Sequence, residues 1–452
     1  MTHSNKPTET FNTDALVIGG GMAGMTVAAR LAEAGRIVLV VEKAPDIGGS
    51  AVLSGGKLWT AKSLEMFAEE APGGDPSLQR AAFEMFEPAA TWLRSTSIQV
   101  AELSYHLYYG KGYDFDVVAY IDWCRSAVRN AGGWIVCDAV AKTLDTENGA
   151  VVGALVSDRD GLSEVRAPWT ILATGGFPAN PELLKRYIHP NADRALARSN
   201  PCSTGDGLRL GIGAGAATST FMKGFYGHVM QSPAKSWGPR EFRAYTQGAS
   251  IKSLLLNTQG HRFCDESLGD HQNAQRILEQ PEAKALLILD DAVRQSESRL
   301  VLAGTSSPID KIQIAIDEGA RVAVAENWVD LFQQTSEWGF DATTAMRTVA
   351  QYNAAASNDG RNLTPPRRRD LKTYDTPPFY AVEVQSGVTA THGGLCVDNK
   401  ARVLDASGRP IPGLLAAGAD AGNIYGEGYA GGLNFAATFG LLAADQVLAA
   451  SA

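Results

Sequence analysis

Three glycines and one acid near the start of the chain have the types and spacing of a dinucleotide-binding site. The apolar run Ala15 to Ile18 leads into Gly19-x-Gly21-x-x-Gly24, and a second apolar run ends at Glu42. Gly19 permits a tight turn, Gly21 lets a pyrophosphate approach a helix N-terminus, and Gly24 allows close helix–strand packing. The carboxylate of Glu42 can accept from ribose hydroxyls. The pattern predicts binding of an adenine dinucleotide.

The loop after this acid and two later turns indicate which dinucleotide is bound. Residues 43–56 hold further glycines and two serines, whose N–H and hydroxyl groups could line another part of a large cofactor. Glycine turns also follow the apolar runs that end at Leu172 and Ala416. Three strand-end turns converge naturally on one long cofactor laid across a single sheet, which is expected for FAD.

The elements that must position these residues follow from hydrophobic periodicity. It predicts strand, helix and strand over 14–41, helices over 58–92 and antiparallel strands over 134–172. A small-residue helix opens at Asp206, and the region from 221 to 372 mixes helices with a strand at 254–256. The arginines at 367–369 are expected to form a solvated face rather than a phosphate site.

Further motifs occur in order along nearly the whole chain, from about 14 to 446. They are GGSAVLSGG at 48–56, STGDG at 203–207, NTQGHRFCDE at 257–266, THGGL at 391–395 and PGLLAAGAD at 412–420. Together they resemble the FAD-dependent fumarate reductase/succinate dehydrogenase flavoprotein superfamily. Within it, the motifs are most similar to those of the 3-ketosteroid dehydrogenases of the delta-1 and delta-4 types.

This resemblance implies an α/β fold with a Rossmann-like FAD-binding domain and an inserted α+β cap domain, with substrate between them against the flavin. We expect residues 11–220 and 373–452 to form the FAD-binding domain and 221–372 to form the cap. FAD is expected to be non-covalent, because no histidine lies between Gly49 and Gly56, where relatives attach it. The residues expected to bind FAD are Gly19, Gly21, Met22, Ala23, Gly24, Glu42, Lys43, Gly49, Ser50, Ser54, Gly55, Gly56, Val140, Ala173, Thr174, Gly175, Asp206, His392, Gly418, Asp420, Gly432 and Leu433.

The residues at positions 270, 389–390 and 429 distinguish the subfamilies of this superfamily. Fumarate reductases have arginines where this chain has Tyr429 and Asp270, and a histidine pair at 389–390. Without a guanidinium at these positions, dicarboxylate chemistry is not expected. Ketosteroid dehydrogenases have a tyrosine at the position of Tyr429. The resemblance implies that its hydroxyl, with the N–H of Leu433 or a neighbour, holds the substrate ketone oxygen; the alternative is packing against the flavin.

The sequence does not identify a single residue as the base that removes the substrate proton. The family position falls on Asp270, beside His271, and a partly buried carboxylate or imidazole could act as the base. Alternatively the two form a helix N-cap and its neighbour. A third family tyrosine resembles Tyr108 or Tyr109, for which surface packing is an equal alternative. His392 lies either against the flavin or in simple packing.

The resemblance implies a dehydrogenase that introduces a C=C bond next to the carbonyl of a cyclic ketone, either a 3-ketosteroid or a smaller cyclohexanone-type compound. It would act by α-proton abstraction and hydride transfer to flavin N5, with a quinone, electron-transfer protein or dye as external acceptor. One alternative is a flavin-dependent reductase of an activated C=C bond in an enone or unsaturated acid. Another is a flavin-binding protein without catalysis.

Composition restricts the class of protein but does not identify its function. With 452 residues, 45% hydrophobic and 20% charged, the chain is globular, and its net charge of −9 argues against nucleic acid as a partner. The first ten residues are polar and no long apolar run occurs, so neither a signal peptide nor a membrane span is expected. Five cysteines without a CxxC pair indicate reduced thiols, no metal site and a cytoplasmic location.

Overall fold

Two compact units make up the chain in this computed structural model, which describes residues 9–234, 243–301 and 308–450. The first unit holds Met1–Leu183, Ser199–Phe225 and Ala390–Ala452, and the second holds Leu184–Arg198 and Tyr226–Thr389. These boundaries differ from the expected 221 and 372. The strand Phe379–Thr391 forms most of its pairs in the sheet of the second unit, and Leu196–Ala197 adds a strand to the same sheet.

The strands are short except in the centre of the second unit. In chain order they are β1 (Glu9–Asn12), β2 (Ala15–Ile18), β3 (Val38–Val41), β4 (Lys57–Ala61), β5 (Ser104–His106), β6 (Gly110–Asp114), β7 (Trp134–Val136), β8 (Val140–Glu147), β9 (Ala150–Asp158), β10 (Gly161–Arg166), β11 (Thr170–Leu172), β12 (Leu196–Ala197), β13 (Phe225–Gln231), β14 (Leu254–Leu256), β15 (Lys284–Asp290), β16 (Arg299–Val301), β17 (Pro308–Asp310), β18 (Val322–Ala325), β19 (Phe379–Thr391), β20 (Arg402–Leu404) and β21 (Pro410–Ala416).

The helices range from single turns to the long last helix. In chain order they are α1 (Met22–Glu33), α2 (Leu64–Glu70), α3 (Pro76–Glu84), α4 (Phe86–Ser95), α5 (Val117–Asn130), α6 (Pro181–Tyr187), α7 (Asp206–Gly213), α8 (Asp270–Leu278), α9 (Asp291–Val293), α10 (Lys311–Asp317), α11 (Trp328–Ser336), α12 (Ala342–Ala356) and α13 (Gly432–Ala450). The α+β composition expected for the second unit agrees with this order.

A six-stranded sheet in the order β20-β21-β11-β2-β3-β7 carries the first unit. Neighbours from β21 to β7 are parallel, and only β20 runs antiparallel. Strands β2 and β3 are apolar and buried at every position, as strands covered on both faces must be. The strand, helix and strand predicted over 14–41 are confirmed.

The region 134–172 differs from the predicted antiparallel arrangement at its two ends. Strands β8, β9 and β10 are antiparallel as predicted, but β7 and β11 pair parallel with β3 and β2. The difference has a local cause, because helix α5 precedes β7 and makes the crossover that parallel pairing requires. Both ends of this region therefore complete the core sheet of the first unit.

The last helix, α13, packs against α1 in the core of the first unit. Gly440 permits this contact, because a Cβ there would lie 2.9 Å from the carbonyl oxygen of Ala23. Among the described residues, α13 alone has the length and mean hydropathy, 1.3, to cross a membrane, and 61% of that stretch is buried inside the protein. Such burial is usual for a core helix.

In the second unit, β19 is the central strand and pairs with β12, β13, β15 and β18. The predicted strand at Leu254–Leu256 is confirmed as β14, which pairs antiparallel with β15 at one edge of the sheet. Apolar side chains of β14, β15 and β19 form one core with those of α11 and α12.

A buried ionic group fastens the loops of the second unit, and we call Arg262, Glu266 and Arg367 the Glu266 cluster. The fully buried carboxylate of Glu266 accepts from Arg262 Nη2 at 2.6 Å, from Arg367 Nη1 at 3.2 Å and from Leu255 N at 3.1 Å. The prediction of a solvated face is therefore wrong for Arg367, although the Arg368 side chain is 71% exposed. Arg367 also donates to the carbonyl oxygens of Ser253 and Ile251, which satisfies its buried charge.

Candidate active site

The three predicted glycine turns lie side by side at one edge of the parallel sheet. Ile18, the last residue of β2, pairs with Leu172 of β11, which pairs in turn with Ala416 of β21. The chain leaves all three strands in the same direction. The structure therefore brings together turns that are far apart in the sequence, as the expectation of one long cofactor required.

The glycines of the first turn have the geometry that a bound pyrophosphate needs. Gly19 has φ +109°, and a Cβ there would lie 2.2 Å from the carbonyl oxygen of Ala173. A Cβ on Gly24 would lie 1.9 Å from the carbonyl oxygen of Gly19. No atom lies within 4 Å of a Cβ built on Gly21, the N-cap of α1, where no side chain caps the helix. This open space beside uncapped N–H groups fits a dinucleotide phosphate, and Met22 and Ala23 begin that helix.

Glu42 is buried at the end of β3, where its two oxygens accept from backbone N–H groups. Oε2 accepts from Gly20 N at 2.6 Å and Oε1 from Ala44 N at 2.7 Å. These bonds fix the carboxylate beside the glycine turn, and each oxygen retains a second lone pair for a ribose hydroxyl. The nearby strand β8 begins at Val140, and the preceding residue, Ala139, donates to the carbonyl oxygen of Glu42.

The loop after Glu42 adds further candidate cofactor contacts. Gly49 has φ +53° and Gly56 has φ +71°, and a Cβ on Gly55 would meet no atom within 4 Å. The two serines are tied locally: Ser50 Oγ accepts from Asn200 N at 2.9 Å, and Ser54 Oγ accepts from Gly56 N at 3.3 Å. The loop therefore offers open backbone positions held in place by its hydroxyl groups.

Asp420 links the turn after β21 to the turn after β11 through hydrogen bonds. Its buried carboxylate accepts from Thr174 N at 2.5 Å, from Thr174 Oγ1 at 3.0 Å and from Gly176 N at 3.1 Å. Burial raises the pKa of Asp420 to about 6 despite these bonds. We therefore assign Asp420 a positioning role. A Cβ on Gly418, in the same turn, would lie 3.0 Å from Ala23 of α1.

Lys43 and Asp206, two charged residues expected to bind FAD, are paired with each other in the structure. Lys43 Nζ lies 2.5 Å from Asp206 Oδ2 and donates to Thr204 Oγ1 at 2.6 Å. The start of α7 is also tied to the turn after β11, because Gly207 N donates to Thr174 Oγ1 at 2.8 Å. Ala173 and Gly175 lie in that turn, where Gly175 has φ +91°. These contacts explain why the STGDG motif accompanies the glycine turns.

Tyr429 lies at the start of α13 with its hydroxyl on the helix N-terminus. Its Oη accepts from Gly432 N at 2.5 Å, and the residue is only 9% exposed. A tyrosine hydroxyl that accepts from a helix N-terminus donates its own proton more strongly, because the bond draws electron density from the oxygen. The N–H of Gly432 is used in this way, so Leu433 carries the next backbone donor of the first turn.

Aromatic rings surround this tyrosine within the first unit. Its ring centroid lies 5.5 Å from that of Trp59 and 6.3 Å from that of His392. The hydroxyl of Tyr109 donates to the carbonyl oxygen of Tyr429 at 2.9 Å. Tyr109 is therefore a buried positioning residue for the Tyr429 loop, whereas the neighbouring Tyr108 is exposed.

His392 is buried beside the same loop. Its Nδ1 lies 3.0 Å from the carbonyl oxygen of Gly426, so this nitrogen carries the proton and donates. Gly224 leaves room for the ring, since a Cβ there would lie 3.0 Å from Nδ1. The structure thus gives His392 a role in holding the loop before α13.

The second unit contains a group that we call the Asp270 cluster: Arg198, His228, Asp270 and Lys311. Asp270 Oδ2 bonds to His228 Nδ1 in a short contact, and Oδ1 accepts from Ser250 Oγ at 2.9 Å and from Val229 N at 3.2 Å. Burial alone would raise the pKa of Asp270, but His228 and these donors hold it below its usual value. The carboxylate is ionised and fully engaged, which favours a positioning role over the expected role of base.

His228 is the better candidate for the base. Burial and the charge of Arg198 lower its pKa below the usual value for histidine, which favours the neutral ring. Because the ionised Asp270 can only accept, Nδ1 of His228 is the protonated nitrogen and Nε2 carries the lone pair. His271, the other expected base, has a pKa of about 4 because it is buried, and its Nε2 has no hydrogen-bond partner among the described residues.

The two cations of the Asp270 cluster are both buried. Arg198 is 5% exposed and donates from Nη1 to Thr389 Oγ1 at 3.0 Å. Lys311 is 6% exposed and donates to the carbonyl oxygen of Thr246 at 2.7 Å. Burial and the charge of Arg198 lower the pKa of Lys311 to about 8. The second unit therefore concentrates positive charge beside a neutral imidazole.

Sequence reasoning missed three members of this cluster. His228 lies on β13, whose two-residue period places Tyr226 and His228 on one face, and that period was a usable signal. Arg198 and Lys311 are isolated cations at the ends of short elements, β12 and α10, and nothing in their spacing marks them.

Comparison with known proteins agrees with this architecture. The sequence profile of the FAD binding domain family matches residues 14–86 and 121–435. The fumarate reductase (cytochrome) of Shewanella frigidimarina is 28% identical over 464 residues, covering 96% of this chain and 76% of that protein. The 4-oxocyclohexanecarboxylate 2-dehydrogenase of Sinomonas cyclohexanicum is 24% identical over 542 residues, covering 92% and 89%.

A solved structure shows the same fold. The 3-ketosteroid delta1-dehydrogenase of Sterolibacterium denitrificans superposes with a TM-score of 0.77 at 20% identity, covering 97% of this chain and all of that one. The expected α/β fold with an FAD-binding domain and an inserted cap domain is confirmed, as is FAD as cofactor. The chain therefore belongs to the FAD binding domain family and is an FAD-dependent oxidoreductase acting on CH–CH groups.

Proposed function

We propose that the enzyme dehydrogenates a cyclic ketone, introducing a C=C bond next to its carbonyl group. The observation that carries this proposal is the hydroxyl of Tyr429, held at 2.5 Å from Gly432 N at the start of α13. A buried donor supported by a helix N-terminus suits a carbonyl oxygen that gains negative charge in the transition state. Polarising that oxygen acidifies the neighbouring C–H.

The proposal needs a base for the α proton, and among the groups of the second unit His228 suits that role best. The proton passes to Nε2, while Asp270 keeps the ring oriented through Nδ1 and stabilises the imidazolium that forms. The β hydrogen leaves with its electron pair, and the α C–H electrons form the new double bond. Bound FAD supplies the hydride acceptor, and an external acceptor such as a quinone or an electron-transfer protein then takes the electrons.

Two relatives support the ketone as substrate. The Sinomonas enzyme is named as a dehydrogenase of 4-oxocyclohexanecarboxylate, a cyclic ketone. The Sterolibacterium structure is a complex with 1,4-androstadiene-3,17-dione, a 3-ketosteroid. We therefore place the substrate among ring ketones, with the α and β carbons of the ring as the reacting pair.

The second candidate is the reverse chemistry, reduction of an activated C=C bond in an enone or an unsaturated acid. It is favoured by the relative from Shewanella, a fumarate reductase at 28% identity over 96% of this chain.

Anaerobic spectra of the purified holoenzyme separate the two directions. Bleaching of oxidised flavin by cyclohexanone-type ketones is expected for the dehydrogenase, whereas reoxidation of reduced flavin by an enone or fumarate, with no bleaching by any ketone, would establish the reductase. Tyr429→Phe should lower ketone turnover by about 10²-fold or more with FAD binding intact. Tyr105→Phe, at a 67% exposed tyrosine of the same unit, is the matched control and should turn over normally.

The cofactor is proposed to be non-covalent, since the loop from Gly49 to Gly56 offers backbone and hydroxyl groups but no histidine. Acid precipitation should release all flavin into the supernatant. Flavin that stays with the precipitated chain would show a covalent link.

A further inference from the structure

Exposed apolar side chains are concentrated at one hairpin of the first unit, formed by β5 and β6. Four large apolar residues of this hairpin are exposed, and we call them the Tyr105 tip: Leu103, Tyr105, Leu107 and Tyr108. Tyr105 is 67% exposed, more than any other large apolar residue in the described part of the chain. Single exposed apolar residues are common on proteins, whereas a contiguous group marks an interaction surface.

The backbone and one lysine hold this hairpin in its conformation. Leu107 has φ +50°, in the left-handed region, which is unfavourable for a leucine. Lys62, directly after β4, donates from Nζ to the carbonyl oxygen of Tyr108 at 2.5 Å. The same Nζ lies 5.5 Å from the centroid of the Tyr105 ring. The exposed side chains therefore belong to a hydrogen-bonded turn that is tied to the neighbouring strand.

The opposite face of the hairpin packs against the residues around Tyr429. His106 of β5 lies edge-on to Trp59, with 4.5 Å between ring centroids, and Trp59 lies 5.5 Å from Tyr429. Tyr109, the residue after the tip, donates to the carbonyl oxygen of Tyr429. The two-residue period of a strand turns Tyr105 away from this packing. The tip therefore extends outward from the part of the first unit that carries the candidate catalytic tyrosine.

The size and shape of the Tyr105 tip distinguish a lipid partner from a protein partner. A whole tyrosine side chain covers roughly 200 Å². The four residues are between 39% and 67% exposed, so they offer well under the about 800 Å² per partner that a stable protein interface uses. They also project from a turn and do not line a groove. A bilayer interface needs no matching shape, and it accommodates leucine in its apolar part and tyrosine at the headgroup level.

The charges beside the tip indicate which kind of lipid it suits. Lys62 and Lys111 lie next to Tyr105, the second directly opposite it in the sheet, and the exposed acid Glu102 precedes the tip. The local charge is therefore small. The whole chain carries a net charge of −9, which repels a strongly anionic membrane. Lipids with a zwitterionic headgroup, such as phosphatidylcholine, suit both observations.

We propose that the Tyr105 tip inserts into the headgroup region of a zwitterionic lipid bilayer and holds the first unit at the membrane surface. Tyr105 and Tyr108 lie at the headgroup level in this arrangement, and Leu107 reaches the boundary of the acyl chains. The contact is interfacial and requires no membrane-spanning helix. It brings the enzyme to a phase in which apolar ketones and quinones accumulate, because both partition out of water.

Flotation of the holoenzyme with phosphatidylcholine vesicles tests the proposal without turnover. Wild-type enzyme should float with a partition coefficient on the order of 10³ M⁻¹, below the about 10⁴ M⁻¹ of one myristoyl chain. Tyr105→Ser combined with Leu107→Asn should lower it by at least about tenfold, and asparagine tolerates the left-handed backbone at 107. The matched control is Phe11→Ser combined with Ile212→Asn, which removes two 46% exposed apolar residues elsewhere in the first unit. It should float like wild type.

Tyr105→Trp keeps the test decisive if the double variant at the tip loses FAD or unfolds. Tryptophan suits the membrane interface as tyrosine does, so this variant should bind vesicles like wild type. Brominated phosphatidylcholine should quench its emission more than that of the wild-type tryptophans. Absence of flotation by wild-type enzyme, absence of this extra quenching, or equal flotation of the tip variant and the control would overturn the proposal. A concentration-dependent dimer that the tip variant abolishes, seen by ultracentrifugation without vesicle binding, would assign the tip to a second copy of the chain instead.

Discussion

The Glu266 cluster and the Asp270 cluster are both buried ionic groups of the second unit, but they differ in how completely their atoms are bonded. In the Glu266 cluster, two guanidiniums share one carboxylate and fill their remaining donors with backbone carbonyls. In the Asp270 cluster, the carboxylate serves a histidine, and Lys311 has a single carbonyl partner among the described residues. A completed network holds structure together, whereas an incomplete one has groups left for a ligand.

The largest expected effect concerns stability and belongs to the completed cluster. Glu266→Gln leaves Arg262 and Arg367 buried without their carboxylate and should lower the free energy of unfolding by about 3–5 kcal/mol. Urea unfolding followed by tryptophan fluorescence measures this. The matched control is Glu279→Gln, which removes a half-exposed pair with Arg276 and should change stability by at most about 1 kcal/mol. Equal effects of the two changes would remove the distinction between the clusters.

The next largest effect concerns rate and belongs to the incomplete cluster. His228→Gln keeps a polar side chain but removes the base, so ketone oxidation should fall by about 10³-fold while urea unfolding changes little. His261→Gln, at an exposed histidine of the same unit, is the control for surface changes. A large loss of stability with normal turnover in the remaining folded enzyme would place His228 with the structural residues.

Asp270→Asn should produce a smaller loss of about 10²-fold, because the amide no longer fixes the imidazole tautomer. The pH profile is the more specific measurement. The base must be neutral, so the wild-type rate falls as the pH drops through the pKa of His228, which lies below the usual value for histidine. Asp270 raises that pKa, so its removal should move this acidic limb to still lower pH. If the acidic limb of the pH profile does not move, a group other than His228 controls it.

Ser250→Ala should have the smallest effect, a fall in rate of about fivefold or less, since it removes one of the donors to Asp270. This variant measures how much one hydrogen bond to Asp270 contributes to the rate. A loss as large as that of Asp270→Asn would indicate that Ser250 contacts the reacting groups itself.

The sequence predicted the first unit better than the second, and the reason is physical. Gly19, Gly21 and Gly24 are recognisable because their role depends on backbone geometry, which fixes both residue type and spacing. The turns after Leu172 and Ala416 were found for the same reason. In the second unit, the Asp270 cluster consists of single side chains on β13, α8 and α10 and directly after β12, and no local spacing connects them.

The fold adds contacts of individual residues that local sequence patterns do not contain. Arg367 looked solvated because it lies in a run of three arginines, yet the buried carboxylate of Glu266 required a second cation. Asp270 occupied the position expected for the base, but only the fold shows that His228 lies against it. Tyr109 was expected to be catalytic or on the surface, and its bond to the carbonyl oxygen of Tyr429 gives it a positioning role.

The order of strands in the parallel sheet has a consequence for biosynthesis. Strand β21, Pro410–Ala416, leads into the third glycine turn and lies next to β11, so the sheet is incomplete until residue 416 has been synthesised. The second unit needs nothing beyond Thr389 and can fold earlier during synthesis. We therefore expect the edge with the three glycine turns to be complete only after the residues of the second unit have been synthesised.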